Sequence, residues 1–243
     1  LLLMENSILT PLIYSAIAGS ATLLGFALTL YAKGWVKKYS YAIVSLAAGV
    51  LLGTAFFHLL PEASEMLGED VFLWLLVGFV AFFLIEALIG FHACREGEEH
   101  CHAHVLGPVA GAGLFFHSLL DGVTIAVSHE IDPRLGLMTA IAVFVHELPE
   151  GIFTFSILKH GKMEFAKAKK MTVAVALATP FGTLITLLFA PELSEHVLGI
   201  LLGVAAGSFL YISASDLVPE SHKSRSIKIS LFLVLGLLIV YFL

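Results

Sequence analysis

Apolar residues run along this chain in long unbroken blocks, not in the alternation of a half-buried strand or the one-sided stripe of a surface helix. The blocks fall at roughly residues 11 to 31, 40 to 60, 71 to 91, 106 to 127, 135 to 158, 171 to 190, 196 to 218 and 229 to 243. Each, the last being rather short, suits a helix crossing about 30 Å of hydrocarbon. The pattern predicts an all-α integral membrane protein with eight transmembrane helices, a single transmembrane domain over residues 1–243. Composition agrees: 58% hydrophobic, 13% charged and a mean hydropathy of +0.95 lie far outside the soluble globular range. The first span is too long for a signal-peptide core and no basic residue precedes it, so no cleavage is expected. The lipid bilayer is the expected surrounding, and no nucleic-acid partner is expected.

Polar residues interrupt the fourth and fifth spans near their centres. One reads His117-Ser118-Leu119-Leu120-Asp121-Gly122 and the other His146-Glu147-Leu148-Pro149-Glu150-Gly151. Positions i and i+4 share a helix face one turn apart, so each motif aims an imidazole and a carboxylate at one point. Ionised groups at mid-membrane cost about 3 kcal/mol each on insertion scales, so Asp121, Glu147 and Glu150 together oppose insertion by about 10 kcal/mol. No Lys or Arg lies in the middle of either span, and a bound cation is the simplest remedy. Imidazole with carboxylate suits Zn²⁺ best and Fe²⁺ or Mn²⁺ next, and the absence of sulfur argues against a closed structural zinc site. Pro149 cannot donate to the Val145 carbonyl, which predicts a kink and a freed backbone oxygen there. The plainer alternative is that these groups only hold helices together.

Loops sort by charge. Lys33, Lys37 and Lys38, then Arg95, then Lys159, Lys162, Lys167, Lys169 and Lys170, then Lys223, Arg225 and Lys228 all fall on one side, and only Arg134 on the other. The positive-inside rule therefore predicts both termini outside the cytoplasm. Glu62, Glu65, Glu69, Asp70, Glu130, Asp132, Glu192 and Glu195 line the outer side, where they would concentrate cations.

The second and seventh spans repeat one another. Ala48-Gly49 precedes His58-Leu59-Leu60-Pro61-Glu62 as Ala206-Gly207 precedes Asp216-Leu217-Val218-Pro219-Glu220. The two spans run in opposite directions, so the repeat is inverted, and a three, two, three arrangement of spans follows. Inverted repeats around a polar mid-membrane site mark secondary transporters. His58 and Glu62 at the outer end, and Asp216 and Glu220 at the inner end, are candidate positions on the metal's way in and out, or interfacial caps before helix-ending prolines. Pairs such as Gly49/Gly53 and Gly203/Gly207 permit close helix contact, and small-residue faces permit a homodimer. Thr179-Pro180 gives the sixth span a second proline break.

Residues 92–105 form a His-rich loop on the cytosolic side, with His100, Cys101, His102 and His104 as candidate ligands for soft metals. Cys94 and Cys101 share that loop and give no disulfide framework.

Taken together, the motifs of the second, fourth, fifth and seventh spans and the His-rich loop resemble the ZIP family of divalent-metal transporters, over nearly the whole chain. The resemblance implies eight helices, outward termini, a metal site between the fourth and fifth spans, and import of zinc toward the cytosol at the cell membrane. It also implies an elevator-like movement of spans 1, 4, 5 and 6 against 2, 3, 7 and 8. By that match His117, Asp121 and Glu150 form the primary site, Ser118 and Glu147 flank an adjacent second site, and His146 stands beside them. The chain departs from relatives that have Asn at Ser118, a second His at Glu150, or Glu in place of Thr179. Zn²⁺ would be the transported substrate, with Fe²⁺, Mn²⁺ or Cd²⁺ as further candidates. Two other classes compete. An intramembrane zinc hydrolase would use His146-Glu147-x-x-Glu150, but the metalloprotease motif needs His where Glu150 stands, so the expectation is no enzyme. A metal sensor would bind without flux.

Overall fold

The computed structural model describes residues 2–93, 102–160, 162–189 and 193–242, and every long element among them is a helix. In chain order these are α1 (Leu2–Tyr31), α2 (Lys33–Thr54), α3 (Leu60–Leu67), α4 (Val71–Ala93), α5 (His102–Ile131), α6 (Pro133–His160), α7 (Phe165–Phe189), α8 (Glu195–Ile212), α9 (Val218–His222) and α10 (Ile227–Phe242). Six stretches among the described residues are long and apolar enough to cross a membrane, and α10 is a shorter apolar helix. One of the six, Lys33–Ile85, contains a three-residue 3-10 turn at Gly68–Asp70 that ends α3 and starts α4. Gly68 has φ +60° there, a conformation that favours glycine. The protein is therefore a multi-pass α-helical membrane protein.

Several helices outrun the apolar blocks that announced them. Lys33, Lys37 and Lys38, read as a loop, lie in the first turns of α2, and α5 begins at His102 and not at 106. Backbone hydrogen bonding continues where hydropathy stops, because polar end turns are solvated. The prolines expected to end helices do not. The five-residue π-helical turns Ala55–Leu59 and Ser213–Leu217 join α2 to α3 and α8 to α9, immediately ahead of Leu60-Pro61 and Val218-Pro219. A proline leaves the carbonyl four residues back without its N–H, and widening one turn lets the helix pass through that gap. Pro149 and Pro180 lie inside α6 and α7, which continue through them.

The junction of α5 and α6 is a single residue. Asp132 accepts a hydrogen bond from the Leu135 N–H through Oδ1 at 2.9 Å, and Pro133 occupies the first helical position, so cap and proline start α6 where α5 stops. The two helices then pack side by side.

Glycines mark where backbones touch. A Cβ at Gly49 would overlap the Leu233 carbonyl of α10, and one at Gly236 the Leu46 carbonyl of α2. A Cβ at Gly207 would overlap the Leu75 carbonyl of α4, and one at Gly78 the Val204 carbonyl of α8. Around the centre, Gly122 admits the Thr179 carbonyl, Gly182 that of Leu119, Gly151 that of Thr22 and Gly25 that of Leu148. Between these contacts sits a core that includes Leu51, Leu59, Ile125, Val143, Leu202 and Phe209. Large apolar side chains such as Phe72, Leu76, Leu177, Leu188, Leu231 and Leu238 point outward, as a lipid-facing surface requires.

Candidate metal centre

The two central motifs meet as their spacing demands. Within α5, His117 Nε2 lies 3.3 Å from Asp121 Oδ2. From α6, His146 Nε2 reaches the same Asp121 Oδ2 at 3.2 Å, and Glu150 Oε2 comes to 3.5 Å from His117 Nε2. One donor atom from each of His117, Asp121, His146 and Glu150 lies within 4.8 Å of all the others. Asp121, His146 and Glu150 are buried, and His117 is partly exposed.

The surroundings orient these donors. His146 Nδ1 donates to the Ala142 carbonyl at 3.0 Å, so in the neutral ring Nε2 carries the lone pair toward Asp121. Ser118 donates to Glu150 Oε1 at 2.9 Å, while Glu150 Oε2 has no hydrogen-bond partner among the described residues. Phe82 of α4 stands edge-on to the His117 ring and Phe209 of α8 to the His146 ring, with centroids 6.0 and 5.8 Å apart. Two imidazole nitrogens and two carboxylate oxygens between apolar walls form a donor set suited to a borderline divalent cation.

Glu147 is buried but lies outside this group. Thr22 of α1 donates to its Oε2 at 2.9 Å and Thr179 of α7 to its Oε1. Thr22 was not among the residues singled out from the sequence. Its signal was present: Thr22-Leu23-Leu24-Gly25 repeats the spacing of Thr179-Pro180-Phe181-Gly182, and the two glycines pack against α6 and α5 respectively.

The residues assigned to the way in and out stay apart from the cluster. His58, in the first π turn, donates from its ring to the Val240 carbonyl at 3.2 Å. Glu62 is half-buried on α3. Asp216 is exposed in the second π turn, and Glu220 accepts from Lys223 Nζ at 2.6 Å in a surface ion pair. His100 and Cys101 lie outside the described residues. His102 and His104 fall at the start of α5, and their side chains lie outside the description.

Known proteins resemble three quarters or more of this chain. Zinc transporter ZIP13 of Pongo abelii is 26% identical over 236 residues, which cover 89% of this chain and 70% of its own. Zinc transporter YKE4 of Saccharomyces cerevisiae is 26% identical over 217 residues, 76% of this chain; the chain spans 62% of that relative's length. An uncharacterized protein of Methanocaldococcus jannaschii, MJ1036, is 24% identical over 244 residues, 98% of this chain and 97% of its own. The family model described as ZIP zinc transporter matches residues 2–112 and 90–243, and with both halves of the helical domain covered, the chain belongs to the ZIP zinc transporter family.

Proposed function

We propose that this chain carries Zn²⁺ across the membrane into the cytosol, holding it between α5 and α6 on the way. The observation that carries the reading is the convergence of His117, Asp121, His146 and Glu150 within 4.8 Å, between helices otherwise apolar enough to span a bilayer. A divalent cation there balances Asp121 and Glu150, whose charge would otherwise oppose their position. The donor set suits Zn²⁺ first, with Fe²⁺, Mn²⁺ and Cd²⁺ as lesser candidates, and two of the relatives bear the name zinc transporter. Membership of a transporter family points away from an enzyme.

The proposed arrangement is eight spans in a three, two, three inverted repeat, with α2–α3 and α8–α9 each counted as one span. Its support is numerical. The contacts of Gly49 with Leu233 and of Gly236 with Leu46 recur 158 positions away (49 to 207, 75 to 233, 78 to 236, 46 to 204) as those of Gly207 with Leu75 and Gly78 with Val204. The two π turns, at Ala55–Leu59 and Ser213–Leu217, keep the same offset. Inverted repeats let one site face either side in turn.

A division into two moving parts has similar support. Among the described glycines, close contacts stay within one set of α1, α5, α6 and α7, or within a second set of α2, α3, α4, α8 and α10. The sets meet through side chains, as in Phe82 on His117 and Phe209 on His146. A cavity of about 60 Å³ also straddles them, lined by residues that include Val50, His58, Val145 and Val240. The one-sided distribution of Lys and Arg supports termini outside the cytoplasm, and the cell membrane is the proposed location.

Radiozinc uptake by vesicles, with the termini located by an impermeant label, tests the reading. Saturable zinc flow from the side holding the termini is expected, reduced at least about tenfold by Asp121→Ala, the scale that a lost outer-shell partner alone reaches. Equal uptake by a correctly inserted Asp121→Ala protein would sink it.

A further inference from the structure

Glu147 is a fully buried carboxylate one residue from His146, yet it is not one of the four residues whose donor atoms lie within 4.8 Å of one another. Each oxygen is engaged. Thr22 of α1 donates to Oε2 and Thr179 of α7 donates to Oε1. Glu150, three residues on, is held differently: Ser118 takes one oxygen, and the other is left without a hydrogen bond beside His117. The two carboxylates on one helix are thus sorted by their hydroxyl partners.

Those partners are themselves fixed. The Thr22 carbonyl lies where Gly151 lacks a side chain, and the Thr179 carbonyl where Gly122 does. These are the glycines that directly follow Glu150 and Asp121. The backbone of each threonine is therefore docked against one ligand-bearing helix, and both hydroxyls converge on Glu147. Thr22 Oγ1 also lies 3.4 Å from the Glu147 backbone carbonyl. Neutral hydroxyls are weak competitors of carboxylate and imidazole for zinc, but they are good hydrogen-bond donors to a buried carboxylate.

We propose that Thr22 and Thr179 clamp Glu147 as a positioning residue outside the ion's ligand shell, so that the site takes a single divalent ion. The inference rests on reading the four-residue cluster as a cation site. It gives Glu147 the work of tying α1 and α7 to α6 beside His146, and it leaves only Asp121 and Glu150 to supply charged ligands.

Equilibrium zinc binding to the purified full chain in detergent, with metal and protein both counted, tests this, together with X-ray absorption of the bound zinc. Wild type should hold one ion per chain. Glu147→Gln should still hold one, with the same set of nitrogen and oxygen ligands and a weaker affinity, whereas Glu150→Gln should change the ligand set. Thr22→Val should weaken binding by about 10- to 100-fold, the range for lost outer-shell partners, and Thr22→Ser, which keeps the hydroxyl, should restore it. Two ions per wild-type chain with one lost in Glu147→Gln, or a changed ligand set in Glu147→Gln, would overturn the proposal while leaving the cation site standing. Zinc binding indifferent to both Glu147→Gln and Glu150→Gln would overturn the cation-site reading itself, and the clamp with it.

Discussion

At the scale of single residues the centre is an exercise in sharing donors. Asp121 Oδ2 faces both histidines at 3.3 and 3.2 Å, while Glu150 divides its oxygens between Ser118 and His117. Removing the serine hydroxyl leaves Glu150 free to turn. Ser118→Ala should therefore weaken zinc binding by about tenfold, at the lower end of outer-shell effects, in a detergent titration; an unchanged affinity would show that the hydroxyl orients nothing. The approach of His117 to Asp121 within α5 and of His146 to Glu150 within α6 was legible in the sequence because four-residue spacing fixes a helix face whatever the neighbours do. The separation of Glu147 from Glu150 was not legible, since it depends on Thr22 and Thr179, each far from α6 in sequence. The same holds for His58, a candidate position on the metal's way in or an interfacial cap: that its ring meets the Val240 carbonyl of α10 depends on a residue far from it in sequence.

At the scale of elements, glycine carbonyl contacts and proline turns set the geometry. Gly122 stands where the Thr179 carbonyl passes, and Gly34 has open space around it. Gly122→Ala should destabilise the protein by about 1–3 kcal/mol, the cost of forcing atoms into a packed site. Gly34→Ala should not destabilise it, because alanine gains up to about 1 kcal/mol in helix propensity. Thermal melting in detergent separates the two, and equal melting temperatures would contradict the packing account. The existence of the helices was readable from long apolar blocks. Their ends were not, because hydropathy falls at the membrane edge while the hydrogen-bond ladder runs on, as in α2 from Lys33. The π turns escaped notice for a related reason: Pro61 and Pro219 carry the same signal whether a helix stops or widens by one bond. Once both turns are seen at matching positions, the repeat between α2 and α8 extends from sequence to backbone shape.

For the whole molecule, α1, α5, α6 and α7 are expected to move together past the remaining helices. Phe26 of α1 and Phe155 of α6 pack ring against tilted ring within one set, with centroids 4.7 Å apart. Val145 of α6 and Val240 of α10 face one cavity from opposite sets. With Cys94 and Cys101 replaced by serine, a short thiol cross-link across Val145→Cys/Val240→Cys should stop zinc flux, and one across Phe26→Cys/Phe155→Cys should leave it. Loss of flux in both, or in neither, contradicts movement along that boundary. Span number and orientation were expected from hydropathy and from the side on which lysines gather. The partition into two sets was not readable that way, because it depends on which glycine meets which carbonyl across the bundle. The most direct measurement is zinc entering proteoliposomes that contain a fluorescent zinc indicator, compared between wild type and His117→Ala/Glu150→Ala at equal reconstitution. Saturable flux is expected in the wild type and none above empty liposomes in the double variant; flux of equal rate in both would contradict a carrier that works through the cluster between α5 and α6.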